Sequence, residues 1–287
     1  MSRRRFDWTS STVGDLERVR QLDATMSAFY SRPDTRERYQ AMLDSPECQQ
    51  PQTEAALARA VVARTPQRVI EVGCGRGRMY QALRAAGFVG AYTGLEMSAE
   101  VIERNRQVYP DQTWEYGSVY AAPFADGAAD AVFAFFVLEH CVYPELALTE
   151  MLRWVRPGGA VLLTFPDFVE MGMFGSQTIG LRVGNAKALL RRGRLLSACV
   201  GLYDSRVRLP AALRSAVARY GPFPVNLSPW CVRETGPLGP DMDAVYIASK
   251  SEVKSWAERR GLTVRFPEGV DNHYRVNALI ELAKGDG

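Results

Sequence analysis

Two rhythms of apolar residues run along this chain. Leu16, Val19, Leu22, Met26 and Phe29-Tyr30 recur every three or four residues, the period of one helix face. Pro51 opens a further helix over Gln52–Ala63, Ala-rich and with proline in its first turn, and Pro66 marks its exit. Short continuous apolar runs then take over, each followed by a helix-period segment. Val69–Val72 predicts a buried strand and Met79–Ala86 a helix stopped by Gly87. Ala91–Leu95 predicts a second strand, and Ser98 caps a helix over Ala99–Val108 with Glu100 and Glu103 in its early turns. Strands follow at Thr113–Tyr116 and Ala131–Phe136, the latter apolar throughout as a central parallel strand requires. A helix over Glu145–Val155 ends in the turn Arg156-Pro-Gly-Gly159, before a strand at Ala160–Phe165.

Repeated strand–helix units of this kind predict an α/β fold with a doubly wound parallel sheet. The rhythm breaks at Pro166. It returns with a helix over Ser251–Arg260 and strands at Leu262–Phe266 and Tyr274–Leu282, the last two joined by a turn and read as antiparallel. Structureless stretches beyond about 15 residues are uncommon inside a domain. The expected organisation is therefore an N-terminal helical lid (1–50), a cofactor-binding core (51–165), a large insertion after the fifth strand acting as a substrate cap (166–249), and core completion by a helix and two strands (250–287). Tyr30, Arg36 and Tyr39 are assigned to the lid.

Composition narrows the class. The 287 residues suffice for one large domain with an insertion. No apolar run approaches membrane-spanning length, and the basic start Met1-Ser-Arg-Arg-Arg5 has no apolar stretch behind it to read as a secretory signal. Cys48, Cys74, Cys141, Cys199 and Cys231 are scattered with no C-x-x-C pair, which fits a reducing cytoplasm and offers no zinc spacing. A net charge of +3 is too mild to imply nucleic acid.

The chemistry concentrates where the first strand runs into Gly73-Cys-Gly-Arg-Gly77. Such a turn lets backbone N–H groups approach a nucleotide-like ligand where a side chain would stand in the way. Position 78 is Arg, so the G-x-G-x-x-G dinucleotide fingerprint is not met. Glu96, at the end of the second strand, is placed to accept both ribose hydroxyls of an adenosine, a feature of NAD and S-adenosylmethionine sites alike. Three later motifs discriminate: Gly117-Ser-Val-Tyr-Ala-Ala-Pro-Phe124, Asp130 through Leu138-Glu-His140, and Val155-Arg-Pro-Gly-Gly159.

In this order and spacing the chain resembles class I S-adenosylmethionine-dependent methyltransferases, in particular the small-molecule group with the Leu-Glu-His motif. The resemblance covers Gln52–Phe165 well and Ser251–Lys284 more loosely. It implies a Rossmann-like seven-stranded sheet with the last strand antiparallel, and S-adenosylmethionine as cofactor. Glu71 with the backbone of Gly73, Cys74 and Gly75 would surround the methionine part. Glu96 would take the ribose, and Met97 would pack on the adenine. Ser118 and Val119 would lie at the adenine edge, and Ala134 and Phe135 would close the other side. The family usually has Asp where Ser118 stands. A neutral hydroxyl there contributes nearer ~0.5–1.5 than ~1.5–3 kcal/mol.

Of two histidines, His140 lies just past the fourth strand, at the sheet edge where open α/β folds bind ligands. It reads either as general base or as a turn cap touching the cofactor, while His273 reads as a surface residue. Asp241 and Asp243 stand where the insertion rejoins the core; Asp243 is the second catalytic candidate, and two carboxylates without further ligands predict no metal. Residues 166–250 carry eleven Lys and Arg against six Asp and Glu, a local excess larger than that of the whole chain. This predicts an anionic small-molecule substrate or a solvated basic face. Leucines and arginines interleave over Gly180–Tyr203. Packing on the protein's own core is the expected arrangement there, with peripheral membrane contact the alternative. The activity expected is O-methylation of a hydroxylated, possibly anionic acceptor such as a sugar, glycan intermediate or natural product. The alternatives are C- or N-methylation of a lipid, quinone or amine, and a non-catalytic cofactor-binding partner subunit.

Overall fold

The computed structural model describes residues 8–10, 16–32, 35, 37–39, 41, 50–172, 174, 186–232, 241–267 and 277–285. His273, Arg36 and Cys48 lie outside them. Two compact units are formed: one from Gln40–Leu138, Tyr143–Pro166 and Lys250–Gly287, and one from Met1–Tyr39, Glu139–Val142 and Asp167–Ser249.

The first, or sheet unit, holds seven strands: β1 (Arg68–Val72), β2 (Ala91–Glu96), β3 (Thr113–Tyr116), β4 (Ala129–Phe135), β5 (Val155–Pro166), β6 (Thr263–Arg265) and β7 (Asn277–Ala283). Their order in the sheet is β3-β2-β1-β4-β5-β7-β6. The pairs from β3 to β5 are parallel, and β7 runs antiparallel to both β5 and β6. This is the Rossmann-like sheet with an antiparallel last strand that the family resemblance implies.

The central strands are apolar on both faces because both are covered. Val69, Ala131, Phe133 and Leu162 share a cluster with residues of α1 (Pro51–Val62), α2 (Arg78–Ala85) and α3 (Ala99–Val108). The alternate positions Ile70, Val132, Val161 and Leu163 are equally buried, and α4 (Pro144–Trp154) and α5 (Lys250–Glu258) pack on the sheet too. Ser98 caps α3 as predicted, its Oγ accepting from the Val101 N–H at 3.4 Å. The Glu145 carboxylate accepts from Trp256 Nε1 and Arg260, each at 3.0 Å, tying α4 to α5.

The second, or helical unit, contains helix Leu16–Ser31, helices Ala186–Arg191, Leu195–Tyr203 and Leu209–Tyr220, and an antiparallel ribbon of Trp8–Ser10 with Pro224–Asn226. Val19, Leu22, Met26 and Phe29 are buried, as the helical period requires, while Leu16 is exposed. Helix Leu195–Tyr203 departs from expectation. Its buried positions are Ser197 and Ala198, and its leucines face solvent, so it does not pack its large apolar side chains on the protein's own core. Among the described residues no helix is long and apolar enough to cross a membrane.

Gly94 sits in a closely packed part of the sheet unit. A Cβ there would lie 2.8 Å from Cys74 Sγ and from two ring carbons of Trp114. Gly94→Ala is expected to destabilise the protein by about 1–3 kcal/mol through overpacking. Urea denaturation with an unchanged midpoint would refute this.

Candidate functional site

The carboxyl edge of the sheet unit is built by a left-handed turn. Strand β1 ends at Val72, and Gly73, Gly75 and Gly77 take φ of 68°, 46° and 78°. At Gly73 a Cβ would approach Val137 Cγ2 to 2.4 Å, so glycine is required on steric grounds as well as conformational ones. A Cβ at Gly75 would meet nothing within 4 Å, which leaves open space against that backbone. The N–H groups are less bare than the sequence suggests. Those of Gly73 and Cys74 donate to the Leu95 carbonyl at 2.8 and 3.0 Å, and that of Gly75 donates to Glu96 Oε2 at 3.1 Å. The turn thus offers close backbone approach rather than free donors at these three positions. Cys74 itself is buried, and that burial, with Glu71 and Glu96 beside it, pushes its thiol up.

Glu96 is nearly buried, and burial raises its carboxyl above the ordinary range. Three backbone N–H groups oppose that shift: Gly75, and Met97 and Ser98, which donate to Oε1 at 2.8 and 3.2 Å. Met97 stands half exposed beside it, an uncovered apolar side chain at the mouth of the turn. Glu71, in β1, is buried. Its carboxylate accepts from the Tyr92 hydroxyl, and burial holds its pKa well above the usual range despite that bond. Past β3, the half-buried Ser118 accepts from the Tyr120 N–H at 3.3 Å, and Val119 is buried. Ala134 is buried at the end of β4, and Phe135 packs edge-on against Phe136 at 4.7 Å. Phe136 holds a positive φ of 53°, a sparsely populated conformation for an aromatic residue. Its N–H donates to the Thr164 carbonyl at 2.8 Å.

Sequence reasoning passes over Asn105. It lies fully buried on α3, and its Nδ2 donates to the Gly75 carbonyl at 2.7 Å, holding the turn from below. The signal was present: a polar residue four positions after Val101 on the buried helix face. These residues suit an adenosyl sulfonium: open backbone at Gly75, a carboxylate acceptor at Glu96 and an exposed apolar side chain at Met97.

A second polar cluster lies in the helical unit. The chain leaves β4 at Phe135 and enters a 3-10 turn, Leu138–His140. The Glu139 carbonyl accepts from the N–H groups of Val245 and Tyr246 at 2.8 and 2.9 Å, which pins the turn to the segment carrying Asp243. His140 Nδ1 lies 3.4 Å from Asp243 Oδ1, in ion-pair range but longer than a good hydrogen bond. Asp243 Oδ2 accepts from the Tyr30 hydroxyl. The two catalytic candidates, 103 positions apart in the chain, are thus neighbours.

Glu139 is wholly buried, and among the described residues neither carboxylate oxygen has a hydrogen-bond partner; His140 Nε2 lies 3.8 Å from Oε1. Burial pushes its pKa up to about 8, against the pull of His140 and with the help of Asp241 and Asp243. Burial of His140 favours its neutral form, but Asp243, Glu139 and Asp241 together outweigh it and raise its pKa. The Tyr30 hydroxyl is pushed up by burial first and then by Asp243. Among the described residues no group of three or more His, Cys, Asp or Glu could hold a metal ion.

Residues 70–163 match the family described as a methyltransferase domain. The chain is 34% identical over 108 residues to a malonyl-[acyl-carrier protein] O-methyltransferase of Erwinia billingiae, covering 38% of this chain and 42% of that protein. It is 33% identical over 115 residues to a demethylmenaquinone methyltransferase of Renibacterium salmoninarum, covering 40% and 48%. The chain thus spans less than half the length of these relatives. The fold is shared with the plantazolicin methyltransferase BamL, solved with a triazolic desmethylPZN analog and SAH, at a TM-score of 0.53 and 11% identity over 94% of this chain and 98% of that one. The family match, the sheet order and the glycine turn agree, and over the matched residues the sheet unit carries a methyltransferase domain of the class I S-adenosylmethionine-dependent kind.

Proposed function

We propose that this protein methylates a hydroxyl group of a small-molecule acceptor, a hydroxylated and anionic compound such as a sugar, a glycan intermediate or a natural product. The observation that carries this reading is the His140 imidazole beside the buried Asp243 carboxylate, itself held by Tyr30. A hydroxyl is a weak nucleophile, and a positioned base makes it a competent one. Transfer to oxygen also appears in the name of the Erwinia relative, there to a malonyl group. The basic excess of residues 166–250 supports an anionic acceptor.

S-adenosylmethionine, when bound, supplies an electrophilic methyl on a sulfonium. Glu71 and the backbone of Gly73, Cys74 and Gly75 would surround its methionine part, and Met97 would cover its adenine. Ser118 and Val119 would line the adenine edge, with Ala134 and Phe135 on the other side. Glu96 would receive the ribose hydroxyls. A carboxylate has about four acceptor positions, and backbone N–H groups fill three of them. Engaging both hydroxyls therefore requires one backbone bond to be shared or released. His140 takes the acceptor proton at a ring nitrogen, and Asp243 orients the ring and stabilises the imidazolium, as carboxylates do in base–carboxylate pairs.

Isothermal titration tests the cofactor assignment. Glu96→Ala should weaken binding of S-adenosylmethionine and its demethylated product by roughly tenfold or more, the loss of a charged hydrogen-bonding group; equal affinity would sink the ribose role. A mass-spectrometric acceptor screen, scoring gain of one methyl, tests the reaction. With the acceptor found, His140→Ala should lower kcat by about 100-fold or more at unchanged cofactor affinity. Since only neutral imidazole takes a proton, the wild-type kcat/KM should rise with pH through a value above 6.5, the ordinary histidine pKa. Undiminished turnover in the variant would leave His140 as a turn cap, and tight cofactor binding with no acceptor turned over would favour a partner subunit.

Glu139 sets a pH dependence of stability. Its carboxyl is protonated in the folded state up to about pH 8 but ionised in the unfolded chain above its ordinary 4.5. Folding therefore takes up a proton between these values, and stability falls as pH rises across that window, by up to ~1.4 kcal/mol per unit. Urea denaturation of Glu139→Gln should show an advantage over wild type that grows from pH 5.5 to 7.5. A constant difference would overturn the assignment.

A further inference from the structure

Helix Leu195–Tyr203 presents the wrong face to water. It buries the small residues Ser197 and Ala198 and exposes Leu195, Leu196, Leu202 and Tyr203, with Leu195 63% and Leu196 83% accessible. Leu190 before it and Val207 after it are exposed as well. The helix contains no charged residue. Arg191, Arg192 and Arg194 stand exposed at its start and Arg206 just past its end, and among the described residues no carboxylate pairs with these four. The contrast is Arg208, which pairs with Asp204. The hairpin between helices Ala186–Arg191 and Leu195–Tyr203 is a closed turn. Gly193 takes φ 70°, and the N–H groups of Gly193 and Arg194 donate to the Leu190 and Leu189 carbonyls, each at 2.9 Å.

Contiguous exposed apolar surface of this kind marks a binding face. We infer that this face docks peripherally on an anionic lipid bilayer, its leucines entering the headgroup–acyl boundary and its arginines meeting lipid phosphates. The charge pattern selects this occupant. Arginines bracket an uncharged aliphatic stretch, so their stems can lie along the apolar surface while their heads stay in the polar layer. A second copy packed face to face about a two-fold axis would bring arginine clusters of one sign together, and like charges oppose that contact.

The test is co-sedimentation of the full chain with vesicles of mixed phosphatidylglycerol and phosphatidylcholine, against vesicles of phosphatidylcholine alone. The protein should sediment with the anionic vesicles, at least about tenfold more tightly than with neutral ones, and be released by salt. Leu195→Asp with Leu196→Asp should abolish binding while leaving thermal unfolding unchanged, since both side chains are exposed. Arg191→Glu with Arg194→Glu supplies an independent variant and should weaken binding by roughly 30-fold or more, at about fivefold for each lost arginine. Absence of sedimentation, or equal sedimentation with neutral vesicles, overturns the inference. A concentration-dependent dimer that the leucine variant dissociates, with no vesicle binding, assigns the face to a second copy instead.

Discussion

Three backbone N–H groups converge on the Glu96 carboxylate, and the carboxyl edge of the sheet unit is organised around that convergence. Gly75 reaches it from the turn after β1, and Met97 and Ser98 reach it from the turn after β2. The parallel register of the two strands, with Val72 opposite Leu95, brings the turns side by side. The Leu95 carbonyl then takes the N–H groups of Gly73 and Cys74, and Asn105 holds the Gly75 carbonyl from below. Burial penalises a charged carboxylate, and the three donors counter that penalty. The left-handed glycines are therefore held by a network of the protein's own groups. A ligand competes for acceptor positions in that network instead of meeting an empty cradle.

The polar cluster of the helical unit is built on the opposite principle. Glu96 meets three backbone donors, whereas the Glu139 carboxylate meets none among the described residues and is wholly buried. Burial outweighs the pull of His140, and Glu139 keeps its proton to about pH 8. Its backbone carbonyl does the structural task, pinning the Leu138–His140 turn to Val245 and Tyr246. Carboxylates around His140 favour its charged form more strongly than burial disfavours it. Such a setting suits a residue that must accept a proton and hold it while chemistry proceeds.

Much of the sheet unit was legible from residue order. Strand Thr113–Tyr116 coincides with its expected span, and the Ser98 cap forms as read. Gly73, Gly75 and Gly77 all take the left-handed conformation that only glycine adopts at little cost. The helical unit was far less legible. Leu195–Tyr203 is rich in leucine and would be expected to bury it, yet the small Ser197 and Ala198 form its inner face. A nine-residue apolar segment is helical whichever side faces inward, so its periodicity carries no information about direction. Asn105 stood legibly on the buried face of its helix, whereas Glu139 lies in a three-residue turn, too short for any period to mark it as buried.

Sequence by itself determined the alternation of strands and helices, the positions of the left-handed turns and the kind of domain that the sheet unit carries. These rest on local periodicity and on the conformational freedom of single residues. Tertiary structure alone decided that Asp243 and Tyr30 meet His140, that the N–H groups of the glycine turn are already engaged, and that one apolar helix turns its leucines outward. Each of these depends on groups far apart in the chain, and their pairing is set by packing and by competition for hydrogen bonds, which no local pattern encodes.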